Sequence, residues 1–138
     1  MSLQRAAALT AIAGLAAALS GLRRVEVRGR SMAPALLPGD RLLVLRLARP
    51  RAGHVVALRD PRDSRRAMVK RVAAAPGEAV TCAGAVLRAG RGWVVLGDNL
   101  AESTDSRSFG AVPRRLLLGR CAYRYAPEHR RGRVSRRG

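Results

Sequence analysis

The hydrophobic pattern of this chain changes period once, near residue 24. Ala6 to Leu22 (AAALTAIAGLAAALSGL) is an uncharged run bounded by Arg5 and by Arg23-Arg24. As a helix it spans about 25 Å, slightly short of a bilayer hydrocarbon core of about 30 Å. Eight alanines, two glycines, Thr10 and Ser20 dilute its hydrophobicity. A membrane anchor, an export signal and a helix packed on the domain are all compatible with this run, and the anchor is the preferred reading. Beyond Arg24 the pattern becomes strand-like. Val25 to Val27, Arg41 to Leu47, His54 to Leu58, Ala67 to Ala74, Trp93 to Leu96 and Leu118 to Tyr125 predict strands. Ala79 to Leu87 predicts a hairpin turning at Ala83-Gly84, and Pro113 to Leu117 one helical turn. Asp60 to Arg65 and Gly97 to Gly110 read as polar loops, while Pro34, Pro38-Gly39-Asp40, Pro50 to Gly53 and Pro76-Gly77 punctuate the chain.

Many short strands at this spacing predict a mainly β protein, a compact antiparallel β domain or barrel preceded by one N-terminal helix, transmembrane in the preferred reading. The expected organisation is a helix over 1–24, a β domain over 25–126 and a basic, disordered tail over 127–138. No internal repeat is visible. A length of 138 residues leaves room for one domain with a modest core.

Composition changes this picture in two places. Apolar residues make up 48% of the chain, which excludes a disordered protein, and at 3% aromatic the core must be aliphatic. The formal charge of +18, from 27 Lys+Arg against 9 Asp+Glu, would suggest a nucleic-acid partner. The basic residues run along the whole chain, however, and are densest in Arg130, Arg131, Arg133, Arg136 and Arg137. That ending reads as a solvated tail, as able to lie on anionic lipid as on RNA, at roughly 1 kcal/mol per basic residue near a lipid surface. Cys82 and Cys121 lack metal-ligand spacing and are too few for a disulfide framework; two buried free thiols are the preferred reading. His54 and His129 have no partner pattern, and no metal or cofactor is expected.

Three segments carry candidate chemistry. The first is Gly29-Arg30-Ser31-Met32-Ala33-Pro34-Ala35-Leu36, followed by Gly39-Asp40. It holds a serine between a strand end and a proline-containing loop, where a nucleophile's hydroxyl is exposed and rigid. The second is Met68-Val69-Lys70-Arg71-Val72, with Pro76-Gly77 behind it. Lys70 is the chain's only lysine and sits in an apolar strand. Desolvation there disfavours the ammonium, and holding the amine half neutral near pH 8 asks for roughly 3 kcal/mol, within the range documented for buried lysines. Arginine could not serve, because it does not deprotonate in proteins. Taken alone, a lysine snorkelling at a strand edge is the better reading. The third segment is Gly97-Asp98-Asn99 with Ser103, Asp105, Ser106, Arg107 and Gly110, a loop rich in charges and hydroxyls.

Together, in this order, the three segments resemble the type I signal peptidase family, the Ser-Lys serine endopeptidases. The likeness runs from about Val25 to Tyr125. The family's Ser-Met-x-Pro-x-Leu and Gly-Asp match Ser31 to Leu36 and Gly39-Asp40; its Lys-Arg and Pro-Gly match Lys70-Arg71 and Pro76-Gly77. Its Gly-Asp-Asn and Ser-x-Asp-Ser-Arg match Gly97-Asp98-Asn99 and Ser103 to Arg107. The resemblance implies that Ser31 attacks the scissile carbonyl and forms an acyl-enzyme, and that neutral Lys70 is its general base. It implies further that Ser103 orients the Lys70 amine, that Asp105 and Arg107 pair behind it, and that Met32, Asp98 and Asn99 support the site. The Ser31 N–H would be one oxyanion donor. Where some members carry a serine as a second donor, this chain has Gly29. It also carries Ala35 in place of the usual Thr and His54 in place of the usual Asp.

Only about fifteen residues separate Pro76-Gly77 from Trp93, so the second β domain of larger members shrinks to a hairpin. This minimal form is similar to the small mitochondrial inner-membrane peptidases and to the short peptidases proposed to mature a nickel superoxide dismutase. The resemblance implies removal of N-terminal signal or leader segments after small residues, with precursor proteins and membrane lipid as partners and no nucleic acid. A dedicated maturation protease for one substrate is the alternative, and a non-catalytic basic protein binding lipid or RNA a more distant one. A single-pass protein with its catalytic domain outside the cytoplasm is expected, although more Arg follows the first helix than precedes it, which opposes that orientation.

Overall fold

The computed structural model describes residues 3–46 and 48–137. Met1, Ser2, Leu47 (expected to close the second strand) and Gly138 lie outside the described residues. The N-terminal run forms α1, Leu3–Ser20. Strands follow as β1 (Leu22–Glu26), β2 (Arg41–Leu45), β3 (Val55–Asp60), β4 (Asp63–Ala74), β5 (Ala79–Cys82), β6 (Ala85–Arg88), β7 (Val94–Leu96), β8 (Leu117–Ala126) and β9 (Gly132–Arg133). Single turns of 3-10 helix lie at Leu100–Glu102, Arg114–Leu116 and Glu128–Arg130, and a short helix α2 spans Ser106–Phe109. The protein is thus mainly antiparallel β with one N-terminal helix.

All strands but β5 and β6 join one antiparallel sheet in the order β1-β2-β8-β3-β4-β7, with β9 added to β8. β5 and β6 make a separate two-stranded hairpin. The run of four buried residues in β3 follows from its central place, because both of its faces are covered. Val55 and Ala57 enter one cluster with Met32, Leu36, Leu42, Val44 and Cys121. Val56 and Leu58 enter the other with Val72, Trp93, Val95 and Val112. Burial pushes the Cys121 thiol up to about 12, so it acts as an inert packing group; Cys82 is only half-buried, and both thiols are free.

β4 is longer than its apolar pattern. Asp63 to Ala67, half of which reads as a polar loop, continues the hairpin with β3 as an exposed arm, and only Val69 onward is buried before Ala73. β7 pairs with Arg71, Val72 and Ala74 alone, so the flank of β4 ahead of Lys70 has no neighbouring strand on that side among the described residues.

The expected disordered tail is instead part of the domain. β9 pairs with β8, Val134 packs on the first core cluster, and the Arg137 N–H donates to the Gly53 carbonyl at 3.1 Å. The cause is buried acid in need of cations. Asp40 lies in the interior and accepts from Arg130 Nε and Nη2 at 3.1 and 3.0 Å and from Arg124 Nη1 at 3.2 Å. A run of arginines that looks solvated in one dimension therefore supplies a counterion in three.

The α1 side chains of Leu3, Leu9, Ile12 and Leu15 are exposed. Among the described residues no helix is long and apolar enough to cross a membrane.

Candidate active site

The loop from Val27 to Asp40 sets Ser31 at the mouth of a cleft of about 610 Å³. The Val27 N–H donates to the Asp40 carbonyl at 2.8 Å and the Gly39 N–H to the Val27 carbonyl at 2.9 Å, so Gly39-Asp40 folds the loop back onto the end of β1. The Asp40 carboxylate accepts the Leu37 N–H at 2.9 Å and tightens the same turn. Met32, almost wholly buried in the core, anchors the residue next to Ser31, and Leu36 anchors the far end. The Ala33–Pro34 peptide between them is cis. Gly29 has φ +74° with open space where a side chain would stand, so the approach to Ser31 from that side is clear.

The loop after β7 is stitched to the serine loop. The Asn99 N–H donates to the Ser31 carbonyl at 2.8 Å, and Asn99 Nδ2 donates to the Arg30 carbonyl at 3.2 Å and to Glu102 at 2.7 Å. Gly97 is required at this crossing. A Cβ there would lie 2.6 Å from the Ser31 carbonyl oxygen and would collide with the Ser103 hydroxyl. Absence of a side chain lets the Ser31 backbone and Ser103 close on the same point.

Lys70 stands on β4 opposite Val56 and is 4% exposed. Its Nζ donates to Ser103 Oγ at 3.3 Å, and Ser103 Oγ donates to Asp105 Oδ2 at 2.7 Å. Because the Ser103 proton is committed to Asp105, its oxygen is an acceptor for a Lys70 N–H. That fixes the amine while leaving a lone pair to point elsewhere. Burial lowers the Lys70 pKa, partly opposed by the negative charge of Asp105 and aided by the positive charge of Arg62. Ser31 and Lys70 line the same cleft, without a direct hydrogen bond between them among the described residues.

Asp105 is fully buried. Burial opposes its ionisation, but hydrogen bonds from Arg107, from the Gly97 N–H and from Ser103 prevail and hold the carboxyl below its ordinary range. The Arg107 Nε contact is 2.9 Å, and Arg107 Nη2 also donates to the Leu100 and Ser103 carbonyls at 2.8 and 3.1 Å. Asp105 caps α2 through the Arg107 N–H, and Ser106 Oγ accepts the Val95 N–H at 2.8 Å, tying that helix to β7.

Asp98 serves differently from Ser103. It forms a bidentate pair with Arg71, both contacts at 2.8 Å, and Arg71 Nη1 donates to the Gly53 and Ser135 carbonyls at 2.9 Å. Alternation along β4 sends Lys70 and Arg71 to opposite faces, one to the cleft and one to a buried clamp holding the loop after β7. Arg71 and Gly97 are site-forming residues that single-residue chemistry does not single out. Their signals are the adjacency of Lys and Arg on a strand and a glycine heading a polar loop.

The family model described as signal peptidase, peptidase S26, matches residues 1–92 and 89–126. The chain is 36% identical over 117 residues to the mitochondrial ATP-independent inner membrane protease subunit 1a of Arabidopsis thaliana, covering 74% of this chain and 69% of the relative. It is 31% identical over 141 residues to signal peptidase I of Leptolyngbya laminosa, covering 77% and 70%. To the mitochondrial inner membrane protease subunit 1 of Schizosaccharomyces pombe it is 34% identical over 110 residues, covering 72% and 70%. The chain belongs to the signal peptidase family, peptidase S26, and is a serine endopeptidase.

Proposed function

We propose that this endopeptidase removes N-terminal signal or leader segments after small residues, with Ser31 as nucleophile and Lys70 as general base. The observation that carries the reading is the buried Lys70 amine, seated on the Ser103–Asp105 relay and opening into the cleft that Ser31 lines. The neutral amine takes the Ser31 proton as Oγ attacks the carbonyl. The ammonium then returns that proton to the leaving amine, which departs and leaves an ester on Ser31. A water, deprotonated by the same amine, hydrolyses the ester and restores the hydroxyl. Ser103 and Asp105 act as positioning residues, and Arg107 neutralises the carboxylate behind them.

The two walls of the cleft suit a substrate in extended form. β1 ends the sheet on one side, and the unpaired flank of β4 runs up to Lys70 on the other. A leader laid between them as an added strand gains backbone hydrogen bonds, while Val25, Met68 and Leu118 offer apolar contact for small side chains. α1 presents apolar side chains without a protein partner and would seat the enzyme at a lipid surface, as befits a relative named for an inner membrane. The single-pass, outward-facing topology is tested by protease access to the C-terminus from outside intact cells.

The test of function is cleavage of a panel of leader peptides by the purified full chain, with Ser31→Ala and Lys70→Met as controls. Full activity in Lys70→Met would refute the dyad. Cleavage of a single leader from the panel would replace a general peptidase with a dedicated maturation protease.

A further inference from the structure

The cleft is far more basic than peptide-bond chemistry requires. Eight arginines line it, against Glu26, Asp60 and Glu102, an excess of five positive charges when Lys70 is neutral. All three acids are engaged: Glu26 with Arg41 at 3.6 Å, Asp60 with Arg62 at 2.9 Å and Glu102 with Arg30 at 3.4 Å. Five lining arginines have no carboxylate within 4 Å among the described residues, although Arg66 still feels the charge of Asp60. On the β1 side these are Arg23, Arg24 (which lies over the Tyr125 ring) and Arg28; on the β4 side, Arg59 and Arg66. Among the described residues Arg59 donates to the Ser64 carbonyl, at 3.1 Å.

Contrast the interior of the same protein, where Asp40, Asp98 and Asp105 each hold arginines in close pairs. On the two walls where a substrate strand would lie, five arginines are left without a close carboxylate, so the cleft carries a local excess of positive charge. Like charges gathered in a concave site focus the field and draw in the opposite charge. A guanidinium fork also fits a carboxylate better than any other side chain can. We propose that the cleft selects peptides carrying Asp or Glu close to the scissile bond, so that side-chain carboxylates of the extended leader reach Arg59 and Arg66 on one wall and Arg23 and Arg28 on the other. The inference deepens the endopeptidase reading by giving its substrates a charge, and its binding test is independent of turnover.

Affinities are measured with full-length Ser31→Ala for three peptides of identical length and apolar content. They carry two Asp, two Asn or two Lys beside the Ala-x-Ala segment. At low salt the Asp peptide is expected to bind at least about tenfold tighter than the Asn peptide, and the Lys peptide weakest. That preference should shrink several-fold between about 50 and 300 mM salt. Replacing Arg59 and Arg66 together by Gln should bring the Asp-to-Asn ratio toward one. Equal affinities, or a ratio that ignores the two substitutions, overturn the proposal. So does a rim that proves to serve lipid, seen as equal peptide affinities together with binding to phosphatidylglycerol vesicles that weakens in the Arg59→Gln/Arg66→Gln variant. Tight, charge-selective binding of peptides none of which the native enzyme cleaves would leave the inference standing and refute the leader-cleavage reading of the site.

Discussion

Asp40 and Asp105 are two buried carboxylates built from the same parts, each held ionised by arginine and backbone N–H groups, yet they occupy opposite positions in the protein's chemistry. Asp40 is closed: Arg124, Arg130 and the Leu37 N–H take up its oxygens, and the network ends in the packed C-terminal segment. Asp105 is open, because one of its bonds comes from Ser103, whose own oxygen receives Lys70 at the cleft. The electrostatics of the two carboxylates are alike. The difference is whether the chain of hydrogen bonds ends in the core or at the buried amine that lines the cleft. A carboxyl held below its ordinary range marks both as candidates for function, and only the connectivity separates them.

That contrast can be broken at several points. The largest effect is expected from Lys70→Met, which should lower kcat/KM for leader cleavage by about 10³-fold or more, measured on protein of verified fold. The same variant should be more stable than the native chain. The folded pKa of Lys70 is lowered, so its burial penalty is fully present below that pKa and fades as pH rises toward the ordinary lysine value. Thermal melts near neutral pH should therefore move upward, and a melt that moved downward would show that Lys70 stabilises the fold.

Asp105→Asn should cost about 10²-fold in kcat/KM through loss of the Ser103 anchor, together with about 3 kcal/mol of stability from a stranded Arg107. Asp40→Asn should match that loss of stability, again about 3 kcal/mol, while kcat per folded molecule stays native. If both variants lose activity equally at matched folded fraction, the distinction between the closed and open networks fails. Both lowered carboxyl pKa values contribute stability that is present above the unfolded value and lost as pH falls through the folded one, so acid unfolding should begin at higher pH in either variant. A smaller effect is expected from Ser103→Ala, about tenfold in kcat with KM little changed, because the amine keeps its burial and loses only its aim.

The same contrast explains what could be read in one dimension. Strands β2, β3, β7 and β8 follow from apolar runs between turn residues, and the hairpin of β5 and β6 from Ala83-Gly84. The extension of β4 through Asp63 to Arg66 was not legible, because an exposed strand arm has no buried face to impose alternation. Nor was the fate of Arg130 and Val134. A basic run signals solvation unless the acid it meets, Asp40, is known to be buried 90 residues away in sequence. At the site, Ser31, Lys70 and Ser103 were visible as motifs in order. Gly97 and Arg71 stood in the same motifs, but what each does, the close crossing at Ser31 and the clamp on Asp98, is set only in the folded chain.

The central claim is that a buried, neutral lysine serves as the base, and the pH dependence of kcat/KM for one leader peptide reads it most directly. The expected profile rises with pH through a single ionisation below that of an exposed lysine. Arg62→Gln should move this acid limb to higher pH, since it removes a positive charge that lowers the Lys70 pKa and frees Asp60, whose charge raises it. A rate independent of pH across that range, or an acid limb that Arg62→Gln leaves in place, would contradict it.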